Sequence, residues 1–284
     1  MKNKQIVSMA ALIAASLSAA HAQTITAWNF ENLTTATNLA PAASTGVGTA
    51  SDLGMGVYPT PAVGNNTPDV LLGKSSDTGA NGNANTSLTW RIRATGGTGV
   101  NAANGWSSSA PIGTQGAMFG ASTVGYGGSL QVSFDWYATT QGEANLQLLY
   151  TTDGSTFQNI ALTLGGSDAG LVVVNNSTPG NTVVGSYVRD NVLLNGSPAG
   201  QGWFTGLTAT INDPNAANDP NFAIEMVNAS TGADDVSTAG TALNNSSGNW
   251  RFDNVVIQVA PEPTTLALAG LGGLAALVAV RRRK

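Results

Sequence analysis

Apolar and polar side chains alternate along several short segments, and this alternation is the strongest structural signal in the chain. Residues 87–94 (SLTWRIRA) and 129–137 (SLQVSFDWY) both show it. A period of two is typical of a strand with one buried face. The predicted inward sets are Leu88, Trp90, Ile92 and Ala94, and Leu130, Val132, Phe134 and Trp136. Thr89 and Asp135 belong to the predicted outward faces.

Residues 145–164 (NLQLLYTTDGSTFQNIALTL) predict a hairpin, because Asp153-Gly154 suits the positive backbone angles of a tight turn between paired strands. Further strands are predicted at 24–30, 171–174, 182–188, 203–211, 222–227 and 250–259. Between residues 23 and 260 no segment shows a sustained helical period. The pattern therefore predicts an all-β, antiparallel fold with long loops at 41–85 and 95–127.

This strand count favours a two-sheet β-sandwich of jelly-roll type. A β-helix is the alternative, although no short repeat of fixed length supports it. AWNFEN (27–32) and NWRFDNVVIQV (249–259) form a matched aromatic pair, and we expect these first and last strands to lie side by side. This layout resembles the jelly-roll sandwiches of carbohydrate-binding modules.

Residues 1–22 show the pattern of a secretory signal. Lys2 and Lys4 precede an apolar stretch, and the segment ends in Ala20-His21-Ala22, a small-x-small exit with cleavage expected after Ala22. The alternative is an uncleaved membrane anchor, which would need a longer apolar run. The mature chain is expected to begin at Gln23, with the β domain spanning 23–260.

Residues 264–280 carry no charge and predict a transmembrane helix of about 25 Å. Arg281, Arg282, Arg283 and Lys284 follow as a membrane stop, which the positive-inside rule places in the cytoplasm. The domain before the helix would then lie outside the membrane.

Pro261-Glu262-Pro263 precedes this helix, and its two prolines hold the chain extended and accessible. The order of Pro-Glu-Pro, apolar helix and basic tail over 261–284 resembles the PEP-CTERM sorting signal. The resemblance implies a transient inner-membrane tether, cleavage by an exosortase-type enzyme, and release to the cell surface or the extracellular matrix of an exopolysaccharide-making bacterium. A plain membrane anchor with a Pro-rich stem is the alternative.

Charge and composition narrow the function of residues 23–260. Five basic residues remain there against 15 acidic ones, so nucleic acid is not an expected partner. The chain has no cysteine, and its one histidine, His21, lies in the signal. These absences argue against Ser-His-Asp triads, cysteine nucleophiles and zinc sites with histidine or thiolate ligands. A hydrolase with two catalytic acids remains an alternative.

Two groups of oxygen-bearing side chains are candidate calcium sites, since calcium takes six to eight oxygen ligands. The segment NDPNAANDPN (212–221) supplies Asp213, Asn215, Asn218 and Asp219. Asn-Asp-Pro sequences also form turns without a metal, which is the simpler interpretation. Glu31 with Asp253 is the second candidate. Asp234 and Asp235 are interpreted as a solvated loop, and no other cofactor is expected.

Trp106 lies in a loop segment (101–116) that no strand pattern explains, so it is a candidate platform for stacking on a sugar ring. Folding back over the core is its alternative role. The sequence as a whole predicts an exported, non-enzymatic cell-surface or matrix protein. A carbohydrate-binding protein that recognises exopolysaccharide is the alternative.

Overall fold

The computed structural model describes residues 22–32, 40–57, 88–93, 105–165, 170–175, 185–190, 203–245 and 248–261. One compact unit comprises Thr24–Val259, and Met1–Gln23 with Ala260–Lys284 form a second. Most of the predicted signal and the whole predicted membrane helix at 264–280 lie outside the described residues. Within the described ranges, no helix has the length and apolar character needed to cross a bilayer.

The compact unit is built from antiparallel strands, which confirms the all-β prediction. In chain order they are β1 Thr24–Trp28, β2 Gly48–Leu53, β3 Gly56–Val57, β4 Trp90–Arg93, β5 Trp106–Ser107, β6 Gly116–Ala121, β7 Leu130–Ala138, β8 Asn145–Thr151, β9 Gln158–Ile160, β10 Leu171–Asn175, β11 Ser186–Asp190, β12 Phe204–Ile211, β13 Ala223–Asn228, β14 Asn244–Asn245 and β15 Asn249–Val259. Two short 3-10 helices cover Pro214–Ala216 and Gly232–Asp234.

The strands form two main sheets. A six-stranded sheet has the order β12-β7-β15-β4-β3, with β1 also paired to β15. A seven-stranded sheet has the order β10-β11-β8-β13-β6-β2, with β9 paired to β8. The short strands β5 and β14 pair separately. The expected pairing of first and last strands is confirmed, since Trp28 lies opposite Val255 in the β1–β15 ladder.

Aromatic rings join the two sheets in a sandwich-like core. Phe119 of the seven-stranded sheet meets three rings of the six-stranded sheet, with centroid distances of 5.1 Å to Trp28, 5.6 Å to Trp90 and 6.1 Å to Phe252. Such edge-to-face contacts add to the burial of the rings. All four side chains are fully buried. Burial of these rings and of the other apolar core side chains stabilises the fold without a disulfide.

The alternating segments become strands as predicted. Within them Trp90, Ile92, Leu130, Val132, Phe134 and Trp136 are buried. Leu88 is half-buried, and Ala94 lies outside the described residues. The 145–164 hairpin forms between β8 and β9, and Gly154 at its turn has a φ of 73°. The second strand of this hairpin is shorter than predicted.

The outward placement of Asp135 and Thr89 is wrong, since both side chains are 1% exposed. Both oxygens of Asp135 accept hydrogen bonds from the strands on either side of β7. Oδ1 accepts from the Gly206 amide at 2.7 Å, and Oδ2 accepts from the side chain of Asn254 at 2.9 Å. Strand β12 has a bulge at Gly206, where φ is 68°, and strand β15 has one at Asn254, where φ is 49°. The bulges turn polar groups towards β7 and cover its polar face.

Parts of the two predicted long loops are also strands. β2 and β3 fall within 41–85, and β5 and β6 fall within 95–127. The sequences of β2 (GTASDL) and β6 (GAMFGA) consist largely of small residues, which carry little strand signal. They form strands because neighbouring strands supply the pairing and because small side chains fit beneath the large rings of the core.

Candidate functional site

The last strand leads directly into the predicted sorting signal. β15 ends at Val259, and Ala260 and exposed Pro261 follow it. Glu262, Pro263 and the basic residues Arg281, Arg282, Arg283 and Lys284 lie outside the described residues. At the other end, Ala20 also lies outside them, whereas Ala22 and Gln23 are described and exposed.

The Asn-Asp-Pro loop is held by its own side chains. Asp213 caps the 3-10 helix Pro214–Ala216, and its Oδ1 accepts from the Asn215 amide at 2.9 Å. Its Oδ2 accepts from the Tyr150 hydroxyl at 3.3 Å. Asn218, with a φ of 56°, accepts from the Gly125 amide at 2.9 Å. The Asp213–Asn215 contact is a local Asx cap, whereas the contacts with Tyr150 and Gly125 join the loop to distant segments. The side chains of Asp213 and Asn218 therefore have protein partners without a metal.

Asp219 stands apart from the exposed part of this loop. The residue is 6% exposed, and its Oδ1 accepts from the Asn221 amide at 2.8 Å, while its Oδ2 is buried without a hydrogen-bond partner. Among the described residues, no three acidic or histidine side chains gather in a way that could hold a metal ion. Calcium binding in this loop stays a prediction.

Glu31 and Asp253 have separate partners. Glu31 Oε1 accepts from the Leu88 amide at 3.0 Å, which ties the end of β1 to the start of β4. Asp253 is fully buried, lies opposite Asp135 in the β7–β15 ladder, and accepts from the Asn254 amide at 2.8 Å. Both carboxylates therefore hold the backbone in place. A calcium ion between them also stays a prediction.

The prediction that Trp106 is a glycan platform is wrong, because its side chain is 1% exposed. Its ring lies against Trp250 with centroids 4.6 Å apart, which matches the alternative role over the core. Each of the other five tryptophans is buried as well. Tryptophan rings therefore offer no open face for sugar stacking in this fold.

The most unusual group of side chains is a buried cluster around Glu143, which we call the Glu143 cluster and define as Glu143, Asn145, Ser230 and Asp235. These residues are between 0% and 2% exposed. Glu143 Oε1 accepts from the Asn145 amide at 2.8 Å, from the Asn145 side chain at 2.9 Å and from the Ser230 hydroxyl at 3.0 Å. Ser230 also approaches Asp235 Oδ1 at 3.4 Å.

The backbone brings these side chains together at one end of the seven-stranded sheet. Asn145 begins β8, and Ser230 follows β13, the neighbour of β8. The Ala144 amide donates to the Val236 carbonyl at 3.0 Å, which holds the segment after the 3-10 helix Gly232–Asp234 against the β7–β8 connection. The Trp250 indole donates to the Glu143 carbonyl at 2.8 Å and links the cluster to the aromatic core.

The two carboxyls of the cluster are electrostatically unfavourable neighbours. Burial raises the pKa of Glu143 well above its ordinary value, and the adjacent Asp235 raises it further against the effect of the Asn145 hydrogen bonds. Burial also raises the pKa of Asp235, although the polar side chains of Glu143 and Ser230 beside it act in the opposite direction. Two carboxylates in such a place can both stay ionised only if a cation compensates their charge, and without a cation one of them binds a proton.

Sequence reasoning missed this cluster. Glu143 stands in a short polar connection (QGEAN), where a charged residue is unremarkable. The interpretation of Asp235 as solvated is wrong, since its side chain is 2% exposed, whereas neighbouring Asp234 is exposed as expected. No local pattern distinguishes the two aspartates, because only the packing of 229–243 on the start of β8 buries one of them.

A separate groove of about 370 Å³ lies over the seven-stranded sheet near the β8–β9 turn. Met118 and Gly120 of β6 line it, together with Phe157, Pro220 and Asn221 from the adjoining loops. It combines an aromatic ring with amide and hydroxyl groups on an open face of the sheet.

Among curated proteins, none matches this chain. The C-terminal segment, in contrast, matches a family model described as the PEP-CTERM protein-sorting motif over residues 259–284. The chain therefore carries a PEP-CTERM sorting signal that begins at the last residue of β15.

Proposed function

We propose that this chain is a non-enzymatic surface or matrix protein whose β domain is displayed outside the cell after an exosortase-type enzyme cuts its C-terminal signal. The observation that carries the proposal is the PEP-CTERM motif at residues 259–284, which marks substrates of such enzymes. The motif follows β15 without a stalk, so a cut near Pro261 would release the compact unit with its last strand intact.

Several features support a structural role for the domain. The segment after the predicted signal contains neither histidine nor cysteine. Glu143 and Asp235, the pair of adjacent acids in the Glu143 cluster, are too deeply buried to meet a polymeric substrate. A jelly-roll type of sandwich forms part of the proposal, and the pairing of β1 with β15 beside the two facing sheets supports it.

Intact-mass analysis of the protein recovered from its own host tests the proposal. We expect a chain that begins at Gln23 and has lost the residues after the Pro-Glu-Pro motif. A variant with Pro261, Glu262 and Pro263 all changed to Ala should retain every residue through Lys284. Recovery of the unaltered protein with Lys284 in the inner membrane would instead identify a plain membrane anchor.

Carbohydrate recognition is the second candidate, and the groove beside Phe157 is the observation that favours it. A half-buried aromatic ring next to Asn221 and the Thr49 hydroxyl offers stacking and hydrogen bonding to a sugar. Retention of the full chain on the host's exopolysaccharide should fall several-fold in Phe157→Ala. Val172→Ala, at an exposed site outside the groove, is the control. Equal retention by both variants would exclude this groove as the binding site.

A further inference from the structure

We propose that the Glu143 cluster binds one calcium ion. The cluster offers five buried side-chain oxygens, which are both carboxylate oxygens of Glu143, Oδ1 of Asp235 and the oxygens of Asn145 and Ser230. The main-chain carbonyl of the adjoining Asp234 adds a sixth. The nitrogen of the Asn145 side chain lies 2.9 Å from Glu143 Oε1, 2.8 Å from the Ser230 hydroxyl and 3.4 Å from the Asp234 carbonyl. In the calcium-bound form we expect the Asn145 amide to rotate by half a turn, so that its oxygen replaces the nitrogen among these three oxygens. The ligand oxygens would then be separated by distances that fit a calcium shell, in which each oxygen lies about 2.4 Å from the ion.

Two buried oxygens of the cluster have no hydrogen-bond donor. Glu143 Oε2 and Asn145 Oδ1 are both inaccessible to solvent and unpartnered. A buried polar atom in a native fold is normally satisfied, and leaving one unpaired costs about 1–3 kcal/mol. The nitrogen of the Asn145 amide is directed at Glu143 and Ser230, and its unpartnered oxygen would reach the same two side chains after a half-turn of the amide.

The charge of the cluster requires compensation. In the part of the chain that the structure describes, Glu143 has no hydrogen bond or ion pair with a lysine or arginine. A single proton shared between Glu143 and Asp235 would reduce their repulsion. It would still leave the Asn145 oxygen unsatisfied. A cation compensates the charge and, once the Asn145 amide has rotated, takes both Glu143 Oε2 and Asn145 Oδ1 as ligands.

The donor set selects the type of ion. Carboxylate, amide, hydroxyl and main-chain oxygens are hard ligands, and no imidazole or thiolate is near because the β domain contains neither. Two acids with several neutral oxygens in an irregular arrangement suit calcium, which tolerates varied geometry. Magnesium would need a near-ideal octahedron and usually keeps several waters, which a site with fully buried walls does not favour.

Trp250 can report whether an ion occupies the cluster, because its indole donates a hydrogen bond to the Glu143 carbonyl and so lies close enough to transfer excitation to a bound terbium ion. The full chain, purified in detergent and incubated at length with EGTA, is titrated with terbium as a luminescent substitute for calcium. We expect tryptophan-sensitised terbium emission that saturates at one ion per chain and is reversed by calcium. We also expect calcium to raise the unfolding temperature of the EGTA-treated protein, because binding to the folded state alone stabilises it.

Glu143→Gln and Asp235→Asn should each weaken terbium binding at least tenfold, while Asp234→Asn should leave it unchanged. Asp234 is the matched control, because its exposed carboxylate lies next in sequence to Asp235 and contributes only its carbonyl. Far-ultraviolet circular dichroism verifies that each variant is folded. Should Glu143→Gln or Asp235→Asn fail to fold, the response of the wild-type chain to calcium still decides the question.

Three results would overturn the proposal. The first is a wild-type chain whose terbium emission and unfolding temperature do not respond to ions, which would favour a shared proton. The second is equal loss of binding in Asp234→Asn and Asp235→Asn. The third is loss of binding in Asp219→Asn but not in Asp235→Asn, which would move the ion to the 212–221 loop. None of these results bears on cleavage at the C-terminus, so the proposed sorting is tested separately.

Discussion

Individual polar residues inside this protein hold irregular backbone in place. Asp135 is the clearest case, because its two oxygens bridge the bulge at Gly206 and the bulge at Asn254. A carboxylate makes such bonds stronger than a neutral acceptor would. The residue sits in a segment whose alternation suggests a solvated position, and its role becomes visible only when both flanking strands are in place.

Replacing Asp135 with Ala should lower the free energy of unfolding by about 1–3 kcal/mol, since two hydrogen bonds to a buried carboxylate are lost, although the exposed Gly206 amide can bond to water instead. Asp135→Asn should cost less because one acceptor oxygen remains. Ser133→Ala, two residues earlier on the same face of β7, should change the stability by less than about 0.5 kcal/mol. Urea unfolding followed by tryptophan fluorescence measures all three, and equal stability of Asp135→Ala and Ser133→Ala would contradict this role.

Glu225 should make the stability of the fold depend on pH. Its side chain is 7% exposed, and it lies between Met118 and Leu149 on the neighbouring strands. Burial raises the pKa of this carboxyl to about 7 from an ordinary value of 4.5. The folded state thus binds a proton more tightly than the unfolded state does. The resulting stabilisation of the fold is fully present below pH 4.5 and is lost as the pH rises through about 7.

As the pH rises from 4.5 to 7, we expect the free energy of unfolding of the wild-type chain to fall by about 1–2 kcal/mol more than that of Glu225→Gln. The comparison between the two proteins removes the titration of all other groups. Unfolding free energies measured at several pH values between 4 and 8 provide the test. Parallel pH profiles for the two proteins would show that Glu225 has the same pKa in both states.

At the scale of elements, small residues decide how closely the two sheets approach. Gly48 of β2 lies against the buried ring of Trp28 in β1, and a methyl group there would lie 2.5 Å from Cζ2 of that ring and 2.9 Å from the Gly120 carbonyl oxygen. Trp28 cannot move aside easily, because its ring also packs edge-on against Phe119. The weak strand signal of β2 thus has a packing cause.

Gly48→Ala should destabilise the protein by about 1–3 kcal/mol through overpacking at this contact. Gly127→Ala is the matched control, because a methyl group there meets no atom within 4 Å. That substitution should be neutral or slightly stabilising, since it reduces the freedom of the unfolded chain. Thermal unfolding compares the two variants, and an unchanged midpoint for Gly48→Ala would show that the sheets can separate without cost.

In the molecule as a whole, the first strand and the last strand pair with each other in the six-stranded sheet. β15 occupies the centre of the six-stranded sheet and contacts β7 on one side and both β1 and β4 on the other. The sorting motif begins at the last residue of this central strand. A processing cut upstream of Val259 would therefore remove residues that the fold needs, whereas a cut near Pro261 leaves every described strand intact.

The fold class, most of the large core residues and the sorting signal could be predicted from local patterns of amino acids. Period-two alternation in β4 and β7, the Asp-Gly turn and the Pro-Glu-Pro motif with its basic tail are local patterns, so each could be recognised without any tertiary information. The strands that went unrecognised, such as β2 and β6, are made of small residues that depend on their neighbours for pairing and burial.

Which polar residues are buried, in contrast, depends on how distant segments pack together. Asp234 and Asp235 look alike in sequence, yet the packing of one segment on the start of β8 exposes the first and buries the second beside Glu143. Trp106 likewise looks available for a ligand until Trp250 covers it. Burial is a sum over contacts from segments distant in the chain, and for that reason no local pattern specifies it.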